Sequence, residues 1–279
     1  MTLEVLVDGL TFPEGPRWRD GRLYFSDFYS HRVLAVDTDG KLETIATVPQ
    51  QPSGLGWAPD GSLLIVSMLD RRLVRLVDGK LETVGDLSAL ATGPCNDMVV
   101  DAKGRAYVGN FGFDRHKGEA ERTACLSRVD ADGRVSKAAD DLRFPNGAVI
   151  TPDGRTLIIG ETLANRLTAF DIAADGTLSN RRLWADLGTV FPDGICLDAE
   201  GAVWVADPRG NRVVRVFEGG RVARTIATGD RGAFACMLGG GDRRTLFVAT
   251  NSGSRPAMAH KTDGRIETIA VDVPGAGLP

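Results

Sequence analysis

One unit of strand and turn recurs six times along the chain, and a repeat of that length leaves few folds open. Each unit begins with a short phrase: PEG (13–15), PSG (52–54), CND (95–97), PNG (145–147), PDG (192–194) and FAC (234–236). The middle residues stand at 14, 53, 96, 146, 193 and 235, so successive units lie 39, 43, 50, 47 and 42 residues apart. Such a spacing, filled with short β-rich segments, is the mark of a propeller whose blades have four strands. Helical periodicity is nearly absent. Alternating segments such as RLYFS (22–26), LLIVS (63–67) and AVWVA (202–206) instead follow polar turns, among them Asp20-Gly21, Asp60-Gly61 and Glu200-Gly201.

Later phrases complete each unit. A third segment opens on His31-Arg32, Arg71-Arg72, Asn165-Arg166 or Asn211-Arg212, and a fourth carries KLETIAT (41–47), KLETVGD (80–86) or RVARTIAT (221–228). The expected architecture is all-β: a six-bladed β-propeller of four-stranded antiparallel blades around a central channel, with residues 1–279 forming one domain. The outer-strand phrase occurs once too often, since RIETIAV (265–271) ends the last unit while LEVLV (3–7) precedes the first. An open ring would leave an unpaired edge, so LEVLV is expected to close the circle beside the last blade.

Bulk properties remove several function classes. A net charge of −4 without a Lys/Arg cluster argues against a nucleic-acid partner. No segment approaches the roughly 18 apolar residues of a membrane span, and the N-terminus lacks a signal-peptide pattern. Cys95, Cys125, Cys196 and Cys236 show no metal-ligand spacing. The expectation is a cytoplasmic protein with reduced thiols and a small-molecule substrate, with no nucleic-acid or membrane partner and an oligomeric state the sequence leaves open.

Phase within the repeat separates three identical tripeptides. Pro-Asp-Gly occurs at 59–61, 152–154 and 192–194. Asp60 and Asp153 fall in the first hairpin turn of their units, where such a tripeptide belongs. Asp193 falls 7 residues earlier, because its own unit turns at Glu200-Gly201. It therefore shares a phase with Glu14, Ser53, Asn96, Asn146 and Ala235, and in a propeller that phase repeats around the central channel. Four of the six bring carboxylate or amide oxygens to one point, a set that suits a hard divalent cation. Calcium comes first, with zinc, manganese, magnesium and iron(II) as alternatives.

FPEGPRW, CNDMVVDAKGR, FPNGAVITPDGR and FPDGICLDAEG, in this order and spacing, resemble the SMP-30/gluconolactonase/LRE-like family, and the similarity runs essentially the full length. The resemblance implies a six-bladed propeller with one divalent metal in the channel. It implies Glu14, Asn146 and Asp193 as metal ligands, Asn96 as the residue meeting water or substrate at the metal, and Asp193 as the general base. Sugar lactonases of the family often carry Arg two residues before the Asn96 position, where this chain has Pro94, which puts recognition of a gluconolactone-like sugar in doubt. The implied reaction is metal-dependent opening of a lactone or related ester. The alternatives are hydration, isomerisation or phosphoester hydrolysis at the same site, or a non-catalytic binding propeller.

Strand direction extends the site. Residues just after each second strand are expected to ring the metal: Asp27-Phe28, Met68-Leu69, Asn110-Phe111, Glu161-Thr162, Asp207-Pro208 and Asn251-Ser252. Phe28, Met68, Phe111 and Phe113 would make that pocket more apolar than a sugar site. The charged segment 111–122 is a candidate lid. Of the three histidines (His31, His116, His260), only His116 is a candidate for substrate contact.

Overall fold

In the computed structural model, which describes residues 2–115 and 117–277, six four-stranded antiparallel sheets form the blades of a propeller. Within each blade the chain runs outward from the axis. The inner strands Cys95–Val100, Pro145–Ile150 and Gly232–Gly239 are buried at every position, whereas the outer strand Leu42–Thr47 is mostly exposed. The hydrophobic core is accordingly divided into layers between neighbouring blades. One layer joins Val99 and Tyr107 of the third blade to Ile150, Leu157 and Phe170 of the fourth. Another joins Val33 and Ala46 of the first blade to Leu55, Ile65 and Val74 of the second.

The last blade departs from the sequence reading in one respect. RIETIAV is written like an outer strand, yet Gly264–Ala270 is the third strand of its sheet. The outermost place is taken by Glu4–Leu10, whose Glu4 faces Thr268 and whose Leu10 faces Gly264. Alternation alone does not rank strands within a blade, because Gly264–Ala270 needs one face for the core whichever place it takes. Removing residues 2–10 should leave Gly264–Ala270 as an open edge and strip Val7 and Leu10 from the largest core layer. The expected result is a melting temperature lower by roughly 10 °C or more, with aggregation visible on size exclusion; an unaltered melt would show that this strand contributes little to closure.

Two local devices set the inner strands. In five of six inner strands the register slips beside the phrase, as between Glu14 and Arg17, Cys95 and Met98, and Pro145 and Ala148. A bulge there re-aims the side chain of the middle residue, which turns Glu14, Asn96 and Asn146 toward one end of the channel. Glycine after that residue then lets the strands close in on each other. A Cβ on Gly147 would lie 2.6 Å from the Asp193 carbonyl oxygen, and one on Gly54 would lie 2.5 Å from the Met98 nitrogen. In the third blade Asp97 replaces the glycine and meets Arg17, whose guanidinium crosses from the first blade to bond Asp97 and the Met98 carbonyl, each at 2.6 Å.

The two lookalike tripeptides close hairpins. Asp60 Oδ1 accepts from the Ser62 N–H at 2.9 Å, and Asp153 Oδ1 accepts from the Arg155 N–H at 3.0 Å. No helix among the described residues is long and apolar enough to cross a membrane.

Candidate functional site

At one end of the channel, side chains from successive blades join in a single hydrogen-bonded chain. Ser53 Oγ donates to Asn96 Oδ1 at 3.3 Å, Asn96 Nδ2 donates to Asn146 Oδ1 at 2.8 Å, and Asn146 Nδ2 donates to Asp193 Oδ1 at 2.5 Å. Asn146 Nδ2 also reaches Thr162 Oγ1 at 3.2 Å, and that hydroxyl is anchored on the Pro192 carbonyl at 2.6 Å. Glu14 completes the group from the first blade, with Oε2 accepting from the Gly15 N–H at 3.1 Å. Ala235, in the same phase, closes the ring with a methyl group and no donor atom.

The electrostatics of this floor are those of crowded carboxylates. Burial, followed by the negative charges of Asp193 and Asp97, pushes the Glu14 carboxyl well above its ordinary value. Burial likewise pushes Asp193 up to about 7, while the bond from Asn146 and the nearby Arg115 cation pull it back. Among the described residues neither carboxylate has an ion-pair partner: the channel arginine, Arg17, is spent on Asp97. Two carboxylates and an amide oxygen without a matching cation fit a hard divalent ion held by oxygen. No group of three or more His, Cys, Asp or Glu converges among the described residues, which sets this cluster apart from a zinc site built on imidazole and thiolate.

Above the floor opens a pocket of about 1170 Å³. Phe28, Met68, Phe111 and Phe113 all line it, as do Asn96 and Asn146. His116 lies outside the described residues. Segment 111–122 forms part of the wall, tied by ion pairs from Lys117 to Asp114 at 3.0 Å, Arg122 to Glu119 at 3.0 Å, and Arg143 to Glu121. His31 caps a short helical turn, and His260 is exposed in another.

Four of the twelve residues of the expected ring, Asp27, Asn110, Glu161 and Asp207, are turned away from the pocket. Asp27 is fully buried and accepts from the Thr11 and Phe12 N–H groups at 2.9 and 2.8 Å. Asp207 accepts from the Phe191 and Gly210 N–H groups and pairs with Arg212 at 2.9 Å. Glu161 pairs with Arg166 at 2.9 Å and takes the Thr168 hydroxyl, and Asn110 donates to the Cys125 carbonyl. These residues satisfy backbone donors where the second strand turns into the third, a demand that buried amides make everywhere. Their neighbours Phe28, Thr162 and Pro208 face the pocket instead.

Two contributors escaped the sequence reading. Phenylalanine precedes the phrase at Phe12, Phe144 and Phe191, and all three line the pocket; the repeated F-P-x-G was the available signal. Arg115 acts on both Asp193 and Tyr29, and nothing in a charged surface loop distinguished it from its neighbours. The four cysteines are buried and unbridged, and burial pushes the Cys95 and Cys236 thiols up, away from reactivity.

The family model described as SMP-30/Gluconolactonase/LRE-like region matches residues 12–252. The chain is 27% identical over 279 aligned positions to a 6-deoxy-6-sulfogluconolactonase of Pseudomonas putida, covering 95% of this chain and 93% of that one. It is 28% identical over 295 positions to pentonolactonase XacC of Haloferax volcanii, covering 100% and 97%. A solved structure of regucalcin from Agrobacterium tumefaciens, described as a calcium-binding protein, superposes with a TM-score of 0.83 at 23% identity over 100% of this chain and 96% of that one. At that identity the likeness speaks for the fold.

Proposed function

The chain belongs to the SMP-30/gluconolactonase/LRE-like family, and from that premise we propose that it is a lactonase working at the channel-end cluster with one divalent cation, calcium foremost. Relatives bearing lactonase names over nearly their whole length support the reaction class. The observation that carries the site is local: Glu14 and Asp193 share the half-buried floor of one pocket, without ion-pair partners among the described residues, while amides from two intervening blades fix Asp193.

In this reading Glu14, Asn146 and Asp193 hold the cation. When bound, the ion supplies Lewis acidity at the ring carbonyl and lowers the pKa of the attacking water. Asp193 accepts the proton of that water as its oxygen bonds to the carbonyl carbon. The proton then passes to the ring oxygen as the acyl C–O bond breaks, giving a hydroxy acid. A carboxylate at this position is within one residue's reach of both the attacking water and the ring oxygen, so one group can serve both halves of that transfer. Asn96 orients water or substrate with an amide that Ser53 and Asn146 hold in place. Thr162, fixed on the Pro192 carbonyl, steadies Asn146 from the other side.

Metal removal tests this directly. After exhaustive chelation, acid release from a panel of lactones should fall at least about a hundredfold, and calcium should restore it. Full turnover in chelator would sink the assignment. A comparison of calcium, zinc, manganese, magnesium and ferrous iron in the restored protein would rank the ions.

A further inference from the structure

We infer that the lactone taken by this pocket carries an apolar body, an alkyl chain or an aryl ring, instead of a hydroxylated sugar ring. The inference rests on the lactonase reading above and deepens it. Polar groups of the floor are gathered at one point, and the wall above is built from a continuous apolar cluster: Phe12, Phe28, Met68, Phe111, Phe113, Phe144 and Phe234. The rings brace one another, with Phe12 and Phe234 at 4.7 Å edge to face and Phe111 and Phe144 stacked at 4.4 Å. Every blade except the fifth supplies a member or the residue leading into it, so the apolar lining surrounds the floor.

Several polar groups of the wall are already committed. Thr92 Oγ1 donates to the Gly112 carbonyl at 2.7 Å, Asn251 Nδ2 donates to the Thr11 carbonyl at 2.9 Å, and Gln51 Nε2 points to the Met68 sulfur at 3.4 Å. Pro94 presents a ring, and its carbonyl accepts from the Phe111 N–H at 2.9 Å. Three of the four cations lining the pocket are engaged as well: Arg209 sits over Phe191 at 4.0 Å from the ring centroid, Arg71 donates to the Ala91 carbonyl at 3.0 Å, and Lys117 pairs with Asp114 at 3.0 Å. A sugar lactone would therefore bring several hydroxyls against this apolar cluster, each unmatched one lowering affinity by roughly tenfold. An alkyl substituent gains instead, by up to about fourfold for each methylene taken from water. At the rim Leu69 remains half exposed, a large side chain that a longer substituent would cover.

A homologous series decides the matter: δ-valerolactone, δ-octanolactone, δ-decanolactone and glucono-δ-lactone, assayed by acid release from the calcium-loaded protein. The expected kcat/KM rises about two- to fourfold per methylene, with glucono-δ-lactone below δ-decanolactone. Leu69→Gln, at a half-exposed position that does not threaten folding, and Phe113→Gln should each lower the δ-decanolactone to δ-valerolactone ratio severalfold. A preference for glucono-δ-lactone, or a ratio that ignores both substitutions, overturns the inference and leaves the lactonase reading standing. Hydrolysis of none of the four overturns the lactonase reading itself. In that event calorimetry with uncleavable lactams judges the pocket alone: tighter binding of δ-decanolactam than of gluconolactam supports its apolar character, and the reverse, or no binding, removes it.

Discussion

Asp193→Asn is expected to reduce lactone turnover by about a thousandfold or more while raising the melting temperature of the metal-free protein. The loss follows from removing both a charged ligand and the group that accepts the proton, where a general base alone contributes roughly 10²–10⁴-fold. The gain has a separate origin. Asparagine keeps an oxygen where Asn146 Nδ2 now donates at 2.5 Å, yet carries no charge to bury beside Glu14 and Asp97. In the folded, metal-free chain Asp193 holds its proton up to about 7, whereas an unfolded aspartate releases it near ~4. Between those values the folded chain binds more protons than the unfolded one, so this group's contribution to stability declines as pH rises from about 4 through about 7. Glu14 is shifted in the same direction. The advantage of Asp193→Asn should thus be on the order of 5 °C at pH 8 and shrink toward pH 5. Calcium should stabilise the unsubstituted protein at pH 8 far more than the variant. Paired melts at both pH values, with and without calcium, check this; a variant that melts lower at pH 8 would show that Asp193 is not a site of electrostatic strain.

Arg17→Ala should cost about 3–5 kcal/mol. Arg17 is 2% exposed. Besides its 2.6 Å pair with Asp97 it donates to the Leu55, Pro16 and Met98 carbonyls, so one guanidinium serves three blades. Burial pushes the Asp97 carboxyl up, with Arg17 pulling against it, and truncation would leave that carboxylate enclosed and unpaired. Adding Asp97→Asn should return part of the loss by removing the stranded charge; the orphaned carbonyls account for the rest. Urea titration of the two single variants and the double gives the coupling. A loss below about 1 kcal/mol would mean that water reaches the channel and replaces the guanidinium.

Sequence and structure agree most closely where a residue's role depends on its place in the repeat. The six-bladed fold was readable because each blade repeats the same turn chemistry, and the convergence of Asn96, Asn146 and Asp193 was readable because channel-facing positions keep one phase. What depended on contacts between blades was not. Arg17 looked like any charged residue in PEGPRWR, and its partner lies 80 residues away. Asp27, Glu161 and Asp207 stood at the right ends of the right strands, but period-2 patterning is silent on whether a carboxylate at a strand end faces the channel or folds back onto amides. RIETIAV read as an outer strand because composition reports one buried face and not the rank of the strand that owns it.

The pairing of Glu4–Leu10 with Gly264–Ala270 also sets an order of events during synthesis. Glu4–Leu10 is made well before the strand it pairs with, since Glu4 and Thr268 are separated by 264 positions. Blade-by-blade docking can proceed on the nascent chain, but the layer that draws on the first, fifth and sixth blades waits until the sixth blade has been made. Until then Leu23, Phe25 and Leu34 keep an apolar flank uncovered, a window in which a chaperone or another chain competes for it. Once Glu4–Leu10 has paired, opening the ring at this blade requires the same ladder to break. The latch therefore delays completion of the molecule and afterwards resists its opening.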